Sequence, residues 1–230
     1  MSRPVPMTGL PGDAELTRDT ELTGDTEQLA LAVCRLSLNP ARGRLRHPHH
    51  VGIAVRAALF TELAGAGRLV GVHHPQVVGE SDTGNPLPDA LHRAVASRKP
   101  AAWRRWYNHV EADRQAATDA LIEAGRWRSE DRQLVDLDPA STVLQQQRVA
   151  ELLAAKQPPD TRELALLVLL AGGHGAGQLR PAPRLSRRLV KPWLVPQLRT
   201  AGHGGDATLA ALRAGFAAMR RANAVPFLSR

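Results

Sequence analysis

The residue of this chain with the clearest chemical demand is an arginine inside an apolar helical stretch. Residues 51–69 read VGIAVRAALFTELAGAGRL. At helical spacing Arg56 shares a face with Gly52, Ile53, Leu59, Phe60 and Leu63. A guanidinium cannot shed its charge and brings five donors. Burying it unpaired would cost several kcal/mol, roughly, after relaxation. An anion must therefore meet it, either a carboxylate from elsewhere in the chain or a bound phosphate. If a phosphate is the partner, replacing Arg56 should weaken binding to anionic vesicles without unfolding the chain.

Other candidate groups are less specific. His47, His49 and His50 sit together, but they lack the i,i+4 spacing of a helical His pair and any matching cysteines, so no zinc site is read there. Histidine titrates near neutrality, which suits a mildly pH-sensitive headgroup contact. Arg42, Arg44 and Arg46 form a basic loop beside them. Such a run is ordinarily just solvated; at an anionic membrane each charge could add about 1 kcal/mol. The glycine-rich pieces AGAGR, AGGHGAG and AGHGG have no following Lys-Ser/Thr and are not phosphate loops. No Ser-His-Asp or Cys-His arrangement can be argued from positions, and Cys34 reads as a core residue rather than a nucleophile. No catalysis, cofactor or metal is expected.

The elements that must position these groups are mostly helices. Asp25 with Gln28 resembles a capping box opening a helix that runs to about Ser37, and a second helix spans about His49 to Ala66. RLVGV and QVVGE read as two short strands, and a helix starts near Pro88. AAWRRWYNHV leads into a long helix ending at Gly125, with Trp103, Trp106 and Tyr107 as either interfacial anchors or core plugs. RWRSEDRQLVDLD reads as a β-hairpin. Trp127, Leu134, Val135 and Leu137 make it amphipathic, flanked by Arg126, Arg128 and Arg132. It could contact a membrane, pair with a second copy, or pack on its own domain. Helices follow at about 142–155, 160–171 and 206–221. The sum is an all-α, single-domain helical bundle with a protruding β-hairpin: a disordered tail over 1–24, a domain over 25–222 and a short tail over 223–230.

Composition agrees. Aromatics are only 3% of the 230 residues, too few for a typical β-sandwich. One cysteine excludes a disulfide framework and suggests a reducing compartment. The longest apolar run, Leu164 to Ala171, is far short of a membrane span. No signal sequence is read at the start, so a soluble cytoplasmic protein is expected. The net charge of +8 is unevenly placed: residues 29–75 hold six arginines against Glu62 alone, and residues 180–230 hold ten basic residues against Asp206 alone. That polarity suits an anionic partner, lipid headgroups or nucleic acid. Only Lys99, Lys156 and Lys191 are lysine. Arginine favours bidentate phosphate contacts, although codon bias in a high-G+C genome has the same result.

Several phrases, in order, resemble the Golgi phosphoprotein 3 family: TEQLALAVCRL, AVRAALFTELAGAGRL, SDTGNPLPDAL, DALIEAGRW and TRELALLVLLAGG. The resemblance covers about residues 26–180, and the arginine-heavy composition fits a bacterial relative. It implies a mostly helical domain that binds phosphatidylinositol 4-phosphate at a basic pocket on the cytosolic face of a membrane. It also implies a hairpin used for membrane contact or self-association, and protein cargo as a further partner. By resemblance, Arg56 falls on the family's headgroup-binding arginine. The family's tryptophan nine residues earlier is His47 here, and its two arginines three apart on the helix before the hairpin are Glu111 and Arg114. Glu111 and Arg114 could also pair with each other. The expectation is a peripheral membrane protein with Arg56, Arg114 and His47 at the headgroup. The alternatives are a helical nucleic-acid-binding regulator, using the basic amphipathic RAGFAAMRRANAV, and a protein-interaction adaptor. No helix-turn-helix phrase supports the former, so nucleic acid is not the favoured partner.

Overall fold

A computed structural model describes residues 27–155, 160–172 and 206–222. The expectations for 1–24 and 223–230, and the basic stretch before residue 206, lie outside the described residues. Among those described there are eight helices: α1 Leu29–Leu36, α2 Pro48–Gly65, α3 Pro86–Ala96, α4 Trp103–Trp106, α5 Glu111–Glu123, α6 Pro139–Ala155, α7 Thr161–Gly172 and α8 Asp206–Ala222. Three two-stranded antiparallel ribbons decorate them: β1 Leu38–Asn39 with β2 Arg44–Leu45, β3 Leu69–Val70 with β4 Gln76–Val77, and β5 Trp127–Glu130 with β6 Gln133–Asp136. The all-α assignment holds, and helix ends fall within a few residues of their expected places.

The centre of the molecule is α2. It packs against α1, α3, α5, α7 and α8, and eleven of its residues, from Val51 to Leu63, are buried. Burial on almost every side is why apolar residues there do not form one clean stripe. Close approach is bought with small residues: a Cβ on Gly215 of α8 would lie 2.5 Å from the Ala57 Cβ, and one on Gly172 of α7 would lie 2.5 Å from the Met219 methyl. Interiors packed this densely leave no room for such additions.

Two expectations need correction. The first helix begins at Leu29 with Gln28 as its N-cap, a residue that makes no side-chain cap bond; Asp25 lies outside the described residues. Instead Glu62 of α2 accepts the Leu29 N–H at 2.5 Å. A carboxylate at a helix start satisfies an orphan donor and meets the positive end of the dipole. Burial pushes the Glu62 carboxyl up from its ordinary range, opposed by the Leu29 N–H, the Arg162 charge and the Ala30 N–H. The second correction is the basic loop, which contains a ribbon, Leu38 opposite Leu45 and Asn39 opposite Arg44. Strands of two residues are too short to show an alternating pattern.

The aromatic stretch resolves into core. Trp103, Trp106 and Tyr107 are buried and set edge-on around Phe60, with centroids 5.1–6.1 Å away. Their polar tips are satisfied inside: Trp103 Nε1 donates to the Val72 carbonyl at 2.9 Å, Trp106 Nε1 to Ala101 at 3.3 Å, and Tyr107 Oη to Ala211 at 2.9 Å.

Candidate anionic-headgroup site

The residues singled out by sequence meet where the N-terminal half of α2 crosses the start of α5. Gly52 makes the crossing close: a Cβ there would lie 2.8 Å from both Val110 Cγ2 and the Val110 carbonyl oxygen. One turn further on, the Arg56 side chain reaches across, only 12% exposed. Its Nε donates to the Asp113 carboxylate. Nη1 donates to the carbonyls of Trp106 at 2.6 Å and Asn108 at 2.8 Å, and Nη2 donates to that of His109 at 3.1 Å. Of the two anions left open above, the structure supplies the carboxylate. The guanidinium also collects carbonyls at the end of α4 and in the turn after it, where backbone groups have no helical partner. His109 in that turn has φ +57°, a left-handed conformation costing a non-glycine residue about 1 kcal/mol, and Arg56 holds its carbonyl in place.

Glu111 does not pair with Arg114 among the described residues. It faces His49 of α2, with 3.5 Å between carboxylate and Nδ1, both side chains being more than half exposed. Its own backbone N–H, then His49 and His109, hold the Glu111 carboxyl below its usual range. Arg114 is half-buried on α5, and its charge is felt at Cys34, where it lowers the thiol's pKa. Burial dominates there and pushes that thiol up to about 12. Cys34 lies 3.9 Å from Thr118 Oγ1 and is a core residue, with no thiolate at neutral pH.

His47 is exposed and starts α2 in a left-handed conformation, φ +46°. Its ring sits edge-on to His50 at 5.7 Å, and His50 to His49 at 6.2 Å. The first turn of α2 carries no acidic residue and its N-cap makes no side-chain capping bond, so the helix start presents positive potential. The structure thus brings His47, His49, Arg56, Glu111 and Arg114 to one end of the α2–α5 pair.

The hairpin residues separate. Trp127 is 1% exposed and belongs to the core. Leu134 and Val135 are half-buried, and Leu137 is 46% exposed. The Leu134 N–H donates to the Gly43 carbonyl at 2.7 Å, and a Cβ on Gly43 (φ +56°) would lie 2.6 Å from the Gln133 Cβ. The β5–β6 ribbon therefore lies directly on the ribbon bearing Arg42, Arg44 and Arg46. Packing on its own domain accounts for Trp127.

Asp113, Gly52 and Glu62 were not read as site or support residues from sequence. Only Gly52 had an available signal, a glycine well inside a helix.

A family model for Golgi phosphoprotein 3 (GPP34) matches residues 29–215. Among curated proteins none matches the chain.

Proposed function

The chain belongs to the Golgi phosphoprotein 3 family, and on that premise we propose that it is a peripheral membrane protein that docks on anionic lipid through the α2–α5 end. The observation that carries this reading is one exposed basic surface: Arg42, Arg44, Arg46, His47 and His49 lead into a helix start with no acidic residue in its first turn. Phosphate groups suit such a place, because helix dipole and side-chain charge act in the same direction. Docking would be at the surface, since no helix among the described residues is long and apolar enough to cross a membrane.

Within the site the roles differ. His47, His49 and Arg114 contact the phosphorylated headgroup, phosphatidylinositol 4-phosphate or a similar lipid. Arg56 forms the floor, because a phosphate reaching its Nε must displace Asp113. Glu111 opposes an anion and competes for His49. Selectivity for a phosphoinositide over plain negative charge is therefore modest, and the arginines of the β1–β2 ribbon supply much of the attraction.

Co-sedimentation with three kinds of vesicle tests this: phosphatidylinositol 4-phosphate, charge-matched phosphatidylserine, and neutral lipid. Binding to both anionic vesicles is expected, falling with added salt and weakened by Arg114→Ala. Glu111→Arg should raise binding to the phosphoinositide vesicles more than to phosphatidylserine. Binding to neither anionic vesicle overturns the reading, and retained binding to duplex DNA would then favour a nucleic-acid partner.

A further inference from the structure

Between α1, α6 and the start of α7 lies a cleft of about 420 Å³, which shares none of the headgroup residues named above. Four arginines line it: Arg35, Arg126, Arg148 and Arg162. Three carboxylates line it too, and their partners are already fixed. Glu27 receives Arg35 Nη2 at 3.0 Å and Gln145 Nε2 at 2.8 Å on the same oxygen. Glu163 pairs with Arg148 at 3.1 Å. Asp160 accepts the Glu163 N–H at 2.7 Å and so caps α7. Arg126 pairs outside the cleft, with Asp138 at 2.6 Å. Arg162 makes no ion pair among the described residues, although its charge acts on the Glu62 carboxylate from a distance.

Arg35 is the sharper anomaly. Its side chain is only 3% exposed, yet its Nε has no hydrogen-bond partner among the described residues. Its Nη1 reaches only Ser141 Oγ, at 3.4 Å, at the outer limit of a hydrogen bond. The Gln145 Oε1 beside it is also unpartnered. A buried guanidinium with an open donor is a standing demand for an acceptor. The rest of the wall is apolar, built from Leu29, Val149, Leu152 and Leu166. The volume exceeds what a bare ion fills and lies within the range of about 300–1,000 Å³ usual for small-molecule sites.

We propose that this cleft binds an amphipathic organic anion, with one phosphate or carboxylate head held by Arg35 and Arg162 and an apolar body lying along Leu29, Val149 and Leu152. The proposal goes beyond the membrane reading and does not depend on it. A soluble ligand would occupy the cleft whether or not the α2–α5 end meets lipid.

Calorimetric titration of the full chain with octyl phosphate, octanoate, inorganic phosphate and octanol tests it. Saturable one-to-one binding of octyl phosphate or octanoate is expected, at least tenfold tighter than inorganic phosphate or octanol. The tighter of the two identifies the head group. Arg162→Ala, at a half-exposed position that leaves the core untouched, should weaken it about tenfold. Arg35→Lys keeps the charge and loses the planar donor set, and should weaken it further. Absence of saturable binding by either amphiphile overturns the proposal. Binding of octanol as tight as that of octyl phosphate, or binding unchanged in Arg162→Ala, does so as well.

Discussion

Arg56 and Arg35 are arginines on neighbouring helices with little exposed side chain, 12% and 3%. Arg56 spends its donors on Asp113 and three main-chain carbonyls, all from the α4 to α5 region. Arg35 is the more deeply buried, yet holds one carboxylate, one distant hydroxyl and an Nε with nothing. Burial therefore does not rank the two; the count of satisfied donors does. The first arginine is a strut, whose removal would strand the Asp113 carboxylate and the Trp106 carbonyl and leave the exposed Asn108 and His109 carbonyls to water. The second is a strut only in part, and its side chain lines a cleft.

The largest expected effect tests the strut. Arg56→Met should destabilise the protein by about 3 kcal/mol, because breaking one side of a largely buried pair leaves the Asp113 charge and the Trp106 carbonyl uncompensated. Urea denaturation monitored by tryptophan fluorescence reads this directly. A loss below about 1 kcal/mol would mean that water replaces the guanidinium easily, and the contrast with Arg35 would collapse. The same curve tests the sequence-based expectation that Arg56 can be replaced without unfolding the chain.

Next comes the anchor of the helix that carries Arg35. Glu62→Leu removes the cap on α1 and should cost about 1–2 kcal/mol, as for other lost helix caps. Glu62→Gln keeps an acceptor and should be milder. Because burial raises the Glu62 carboxyl in the folded state, its contribution is fully present below the unfolded carboxylate pKa and is lost as pH rises through the folded one. The stability of Glu62→Gln relative to wild type should accordingly improve between pH 4 and pH 7. A flat difference across that interval would show that Glu62 is no harder to ionise folded than unfolded.

Arg35→Met should cost less than Arg56→Met, about 1 kcal/mol, since Glu27 keeps Gln145 and is 19% exposed. Equal losses for the two arginines would erase the distinction. The smallest effect lies in the hairpin, where Asp131 and Arg132 both have positive φ, +46° and +63°. A two-residue turn of that kind favours glycine at its second position. Arg132→Gly should stabilise by about 0.5–1 kcal/mol and add independently to either arginine variant, which makes it a useful internal control.

What could be read from sequence follows from which interactions are local. Helices of a dozen residues or more were legible because their caps, glycines and apolar spacing lie within the segment itself. The demand of Arg56 for an anion was legible for the same reason: its apolar neighbours are a turn away. The identity of the partner was not, because Asp113 lies 57 positions downstream and nothing local marks it. The cap on α1 shows the same limit, since Gln28 and Asp25 suggested a local solution while Glu62 supplies one across 33 positions. Arg35 carries the same local signal, with Leu31, Ala32 and Leu38 a turn away, and it was passed over. Its partial satisfaction becomes visible only once Glu27, Ser141 and Gln145 are brought around it. Trp127 had three readings in sequence, and burial selects one.

The bond from the Leu134 N–H to the Gly43 carbonyl joins two parts of the chain usually treated as separate devices, a hairpin and a set of arginines. With the two ribbons fastened back to back, neither can engage a surface at an angle of its own choosing. A bilayer or second subunit that meets the exposed Leu137 side must accept whatever orientation the β1–β2 ribbon then imposes on Arg42 and Arg44. The pair behaves as a template with fixed spacing between grease and charge, so lengthening the Asp131–Arg132 turn would alter reach while leaving that spacing intact.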